Sequence, residues 1–189
     1  MFRISFVCTG NRCRSAVAAA AVASLTEGLP VSVDSCGTLD MEGECSPRES
    51  LVAARKYGLS LDAHRSRFLG SAGLDTSNLV IGFERHHCAA AVVEGGASAE
   101  KTFTLREITR LLDEIGPATD ATGEQRARDL VAAAHLFRSK GRSFVPGEEI
   151  ADPIGRPLQV HLDITGEVIR LCERLCRSLF SGKERLRAL

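Results

Sequence analysis

Four short apolar runs, each followed by a segment of helical character, set the pattern of this chain. Phe2, Ile4, Phe6 and Val7 form the first, with the bulky side chains a strand favours. Val31 to Cys36 alternates as a second strand that Gly37 ends, and Leu79 to Phe83 is continuously apolar, as in a buried parallel strand. Thr102 to Thr104 is the fourth. Between them, Arg14 to Thr26 reads as a helix rich in alanine that stops near Gly28 and Pro30. Ser46 as cap, Pro47 at the first position and Glu49 at the third open a second helix, which runs to Tyr57 and is closed by Gly58. Further helices are expected over Arg85 to Val93, before Gly95-Gly96, over Leu105 to Ile115 and over Glu124 to Ser139. In the last helix Val168, Leu171, Cys172, Leu175 and Leu179 make one stripe. Strands alternating with helices predict an α/β fold: a single domain over residues 1–189, an open sheet of about four parallel strands with helices on both faces.

Composition narrows the picture without changing it. With 189 residues, 44% hydrophobic and 25% charged, the chain can bury a substantial core. Its formal net charge of zero gives no global attraction to nucleic acid or to a membrane surface, so neither is expected as a partner. No apolar run approaches the roughly 20 residues of a membrane span. Cys8 and Arg12 interrupt the N-terminus before a secretory apolar region could develop. Seven cysteines, an odd number at irregular spacing, point to free thiols in a reducing cytoplasm.

The chemistry sits in Cys8-Thr9-Gly10-Asn11-Arg12-Cys13-Arg14-Ser15, between the first strand and the first helix. A tight loop of inward-pointing N–H groups, followed by a helix N-terminus, is an anion cradle. Arg14 adds a guanidinium fork that matches phosphate oxygens. Cation, dipole and donors all favour the thiolate of a cysteine placed there, and a thiolate beneath a bound phosphate is a nucleophile aimed at phosphorus. A leaving alkoxide or phenoxide also needs a proton. Asp152 is a candidate source, because Pro153 stiffens its loop and keeps it out of helical geometry.

With Cys-x5-Arg-Ser at the very N-terminus, in the form Val-Cys-Thr-Gly-Asn-x-Cys-Arg-Ser, the chain closely resembles the low-molecular-weight protein tyrosine phosphatases. The resemblance extends through most of the chain and implies a phosphatase-I-like fold and a cysteine-dependent phosphomonoesterase. It implies Cys8 as nucleophile, Thr9, Gly10, Asn11, Arg12, Cys13 and Arg14 as the phosphate-binding loop, Ser15 as a partner of the Cys8 sulfur and Asp152 as general acid. It also implies Ser35 and His64 as supports of Asn11, and sets Glu84 near a family acidic residue. Neither a metal nor a cofactor is called for, and the substrate expected is a phosphorylated protein, most of all at tyrosine, or a small phosphomonoester. Three features depart from the family. Ile154 stands where an aromatic usually follows the Asp-Pro pair, Leu39 and Met41 stand where a second aromatic walls the cleft, and Arg12 takes a pocket-wall position.

Other readings on the same fold are a protein-arginine phosphatase, which the charge of Arg12 disfavours, and an arsenate reductase, which needs two cysteines after the third strand where only Cys88 stands. A non-catalytic phosphate-binding module is the alternative of another class. Cys172 and Cys176 read as small buried hydrophobes. His86, His87 and Cys88 are consecutive and on a helix are expected to diverge. Cys8 and Cys13, at the first and sixth positions of a curled loop, are expected to form a reversible disulfide under peroxide, which a thiol reductant reopens.

Overall fold

The computed structural model describes residues 1–116, 122–139 and 145–180. Strands β1 (Phe2–Cys8), β2 (Val31–Gly37), β3 (Leu79–Gly82) and β4 (Thr102–Thr104) pair in the order β2-β1-β3-β4, all parallel. The period-two geometry of a strand divides their side chains between two layers. Phe2, Ile4, Phe6, Cys8, Leu79, Ile81 and Phe103 enter the larger core, and Val7, Cys36 and Val80 the smaller one.

The larger core is closed by α1 (Arg14–Leu25), α2 (Arg48–Arg55), α4 (Leu105–Ile115), α5 (Gly123–Phe137) and α6 (Leu158–Phe180). α3 (Arg85–Val93) and the short 3-10 turns at Leu69–Ser71 and Leu74–Thr76 cover the smaller one. The expected stripe of α6 is buried throughout, and Phe180 meets the ring of Phe2 edge-on at 5.8 Å. Gly166 on α6 leaves room for the side chain of Tyr57, in the turn after α2; a Cβ there would overlap the Tyr57 hydroxyl. Among the described residues no helix is long and apolar enough to cross a membrane.

Both ends of α2 differ from expectation. α2 starts at Arg48, so Pro47 rather than Ser46 precedes its first turn, and the buried Ser46 hydroxyl has no partner among the described residues. Its regular part ends at Arg55, and Tyr57 and Gly58 complete a turn in which Gly58 takes φ +72°. For the site, strand order matters most. β1 connects to β2 on one side while β3 lies on the other, so a crevice opens beyond the C-terminal ends of β1 and β3, where open α/β sheets bind ligands.

Candidate active site

β1 runs out at Cys8, and the residues Thr9 to Cys13 curl back to the start of α1. The turn depends on Asn11, whose φ of +51° makes it the only non-glycine residue in left-handed geometry among the described residues. That conformation costs about 1–2 kcal/mol, less for asparagine than for most residues. Four hydrogen bonds hold it. Asn11 Nδ2 donates to Ser15 Oγ at 2.9 Å and Ser35 Oγ at 2.8 Å, Oδ1 accepts from the Arg67 N–H at 2.9 Å, and the backbone oxygen accepts from His64 Nε2 at 2.6 Å. At about 0.5–1.5 kcal/mol each, these outweigh the strain. Ser35 and His64 both contact Asn11, and so does the Arg67 N–H, which had no signal in the sequence. His64 has its pKa lowered by burial, against the opposing pull of the Asn11 carbonyl. Gly37 lets β2 press against the loop, since a Cβ there would lie 2.8 Å from the Thr9 oxygen and 3.0 Å from the Asn11 nitrogen.

The same network directs a proton at the nucleophile. Because Ser15 Oγ already accepts from Asn11, its own O–H is free to donate to Cys8 Sγ, 3.0 Å away. Arg14 is only 1% exposed, and four of its five N–H groups are committed. Nη1 donates to a Glu84 carboxylate oxygen and to the Ile150 carbonyl at 2.8 Å; Nη2 donates to Thr9 Oγ1 at 3.2 Å and Asp152 Oδ2 at 2.7 Å. The fifth, on Nε, is buried without a partner. A buried donor left open costs about 1–3 kcal/mol and is the feature an anion-binding site leaves for its ligand. Asp152, arriving from the far end of the chain, is therefore brought directly against the loop.

Glu84 and His87 are the residues that sequence reasoning undervalued. Glu84 caps α3 and accepts from Arg14, while its backbone N–H donates to His87 Nδ1 at 3.0 Å. With Nδ1 accepting, Nε2 carries the hydrogen and donates to Thr9 Oγ1 at 3.0 Å. Burial, reinforced by the Arg14 charge, brings the His87 pKa down to about 3, so the ring is neutral. The divergence expected of His86 and His87 is wrong. As the third residue of α3, His87 folds its ring back to the cap, and the two ring centroids lie 4.0 Å apart. Glu84, His86 and His87 come close enough to resemble a metal set, but both His87 nitrogens and Glu84 are already in hydrogen bonds.

At the rim, Leu39 and Ile154 are exposed, and Met41 Sδ sits over Gly10. The Arg12 guanidinium turns away toward the loop after β2, where Nε donates to the Cys45 carbonyl at 2.7 Å and Nη2 lies 3.8 Å from Glu44. Cys13 is buried under the loop, accepts from the Ser50 hydroxyl at 2.9 Å, and has its pKa pushed up to about 12 by burial. Cys88 packs against Gly82 at the foot of α3, likewise pushed up to about 12 by burial, and is no free relay thiol.

Together these parts present a thiol with a hydroxyl donor on its sulfur, an anion cradle, a buried arginine with one open donor, and a carboxyl across from it. That combination can carry a phosphoryl group on sulfur and handle the proton of a leaving oxygen. Known proteins point the same way. Residues 3–115 match the profile of the family described as low molecular weight phosphotyrosine protein phosphatase. A protein-arginine-phosphatase of Geobacillus stearothermophilus is 29% identical over 181 residues, covering 94% of this chain and 96% of that one. A low molecular weight protein-tyrosine-phosphatase of Streptomyces coelicolor is 36% identical over 96 residues, 47% of this chain and 57% of that one. Among solved structures, the arginine phosphatase YwlE from Geobacillus stearothermophilus superposes with a TM-score of 0.68 at 28% identity, covering 95% of this chain and 93% of that one.

Proposed function

This chain belongs to the low molecular weight phosphotyrosine protein phosphatase family, and from that premise we propose that it is a cysteine-dependent phosphomonoesterase of phosphorylated proteins, foremost at tyrosine. Cys8 attacks phosphorus and forms a cysteinyl-phosphate. The loop N–H groups and Arg14 hold the equatorial oxygens, Arg14 using its open Nε–H and an Nη2 that turns from Asp152 to the phosphate. Asp152 then protonates the leaving oxygen and, in the second half of the reaction, takes a proton from the water that releases phosphate. Ser15 steadies the sulfur as it leaves. The observation that supports this reading best is the Ser15 hydroxyl on Cys8 Sγ, oriented by Asn11, at the mouth of a cradle whose arginine keeps one buried donor open.

The test is pre-steady-state release of nitrophenol from p-nitrophenyl phosphate. A burst of about one equivalent per enzyme supports the covalent intermediate, whereas tight phosphate binding without turnover supports a binding module.

Arginine is the competing target residue. Arg12 spends its charge on the Cys45 carbonyl and Glu44, which weakens the repulsion expected toward a phosphorylated guanidinium. The thin walls at Leu39, Met41 and Ile154 also give a tyrosine ring little to stack on, each such contact being worth about 0.5–1.5 kcal/mol. Comparing kcat/KM on peptides that differ only in phosphotyrosine or phosphoarginine decides between the two. The cytoplasm is the expected site of action. A thiol reductant is the expected partner in recovery: peroxide converts the Cys8 thiol to sulfenic acid, Cys13 condenses with it as water leaves, and a dithiol restores both thiols. Cys13→Ser that recovers from peroxide as fully as wild type would refute this protection.

A further inference from the structure

We propose that Thr9 is a positioning residue for Arg14. Its hydroxyl, fixed as an acceptor by His87, keeps hold of Arg14 Nη2 while that nitrogen exchanges Asp152 for the phosphate of the substrate. The inference rests on the phosphatase reading given above and assigns a task to a side chain of the loop, beyond the backbone N–H groups that line the cradle.

The direction of each hydrogen bond follows from the chemistry of its two ends. The Glu84 backbone N–H only donates, so His87 Nδ1, 3.0 Å away, accepts. A ring that accepts at Nδ1 is neutral and carries its one hydrogen on Nε2. That hydrogen is donated to Thr9 Oγ1 at 3.0 Å. A guanidinium has no acceptor, so Arg14 Nη2 also donates to Thr9 Oγ1, at 3.2 Å. Two donors thus occupy both lone pairs of the Thr9 hydroxyl oxygen. Its own hydrogen turns away from them, with no acceptor among the described residues. Thr9 is a double acceptor in this site.

This arrangement ties the guanidinium to the start of α3 through both terminal nitrogens. Glu84 accepts from Nη1 directly. His87, three residues on and buried, reaches Nη2 by way of Thr9. Asp152 is the contrast: its carboxyl is partly exposed, and it takes the second hydrogen of Nη2 at 2.7 Å. When a phosphate claims that hydrogen together with the open Nε–H, the bond to Thr9 is the hold that remains on Nη2. A planar fork fixed in this way presents two parallel donors to two phosphate oxygens. Ordering it before the ligand arrives removes that cost from binding. Threonine suits the task, because its branched side chain has few rotamers.

Thr9→Val keeps the branched shape and removes the acceptor, whereas Thr9→Ser keeps the acceptor. Three readouts are taken: inhibition by inorganic phosphate, kcat/KM for phenyl phosphate (a basic leaving group) against p-nitrophenyl phosphate (an acidic one), and the Arg14 Nε–H resonance during titration with phosphate. Thr9→Val should weaken phosphate inhibition by about tenfold, the lower end for one hydrogen bond to a charged group. It should lower kcat/KM for both esters by one common factor of at least that size, because the fork holds the phosphoryl group whatever leaves it. The Arg14 resonance should then respond only at correspondingly higher phosphate. Thr9→Ser should recover most of what Thr9→Val loses. Unchanged phosphate inhibition in Thr9→Val would overturn the proposal, even in a less stable protein, and so would a failure of serine to restore it. A loss confined to phenyl phosphate would overturn it as well, since Thr9 would then act through Asp152. Should Thr9→Val not fold, Thr9→Ala against Thr9→Ser reads the same difference. A wild-type protein that turns over neither ester would strike the phosphatase reading instead, and the titration of Arg14 with phosphate would still decide the role of Thr9.

Discussion

The two halves of the site are built in opposite ways. The nucleophile half is one stretch of eight residues, Cys8 to Ser15, between a strand and a helix, and its defining bond, Ser15 to Cys8, spans seven positions. The acid half is a single carboxyl whose contact with Arg14 spans 138 positions. The first is held by a dense local web around Asn11 and pressed in place by Gly37; the second depends on a few tethers across the fold. The difference teaches that the anion site should outlast the loss of the acid, because nothing in the loop's own web needs Asp152. It also assigns rigidity to the half that binds and freedom to the half that must move a proton.

Substitutions can break that comparison at either end. Cys8→Ser should have the largest effect, lowering turnover by more than about 10⁴-fold while phosphate still binds, as read by calorimetry. Activity within tenfold of wild type would mean that another group attacks. Next, Asp152→Asn should slow phosphotyrosine-type esters by about 10²–10⁴-fold, with the loss shrinking as the leaving group becomes more acidic. Phosphate affinity should hold, since Arg14 loses only one of its acceptors. A loss independent of leaving group would make Asp152 positional. Gly37→Ala attacks the local half without touching a reacting atom. Its Cβ meets backbone rather than a flexible side chain, so the variant should be destabilised by about 1–3 kcal/mol and bind phosphate more weakly. Wild-type phosphate affinity there would show that the loop does not rely on the pressure of β2.

The last substitution, remote from the reacting atoms, sharpens the electrostatic side. His87 has its folded pKa lowered from 6.5 to about 3, so between those values the unfolded chain holds a proton on this ring that the folded one excludes. Its contribution to stability is present above 6.5 and is lost as pH falls toward 3, with a slope of at most about 1.4 kcal/mol per pH unit. His87→Gln, followed by urea unfolding across that range, should flatten the pH dependence of stability relative to wild type. An unchanged slope would mean that the imidazole titrates normally.

Legibility follows the same division. The parallel strands, the helices on both faces of the sheet and the phosphate loop could be read in the sequence because each is written in consecutive or periodic residues: the alternation of β1, the apolar stripe of α6, the Cys-x5-Arg-Ser run. Asp152 could be proposed only with help from a family likeness, since an Asp-Pro pair says nothing of what it faces. Arg67, Glu84 and His87 escaped weight because their partners are set by tertiary approach rather than spacing. One signal was available and passed over: His161 and Thr165 continue the apolar stripe of α6 through Val168 and Cys172, and polar residues on a buried stripe announce a hydrogen-bonded network. Ser46 misled for the opposite reason, having the composition of a cap one residue before the turn that would use it.

Rapid acid quench of the enzyme during turnover of p-nitrophenyl phosphate, followed by peptide mapping of the trapped phosphoryl group, bears most directly on the nucleophile. The expected result is S-phosphocysteine at Cys8, formed within the burst, absent from Cys8→Ser, and accumulating when Asp152→Asn slows the attack of water. Phosphate on any other residue, or a burst with no phosphorylated peptide, would contradict the assignment of Cys8.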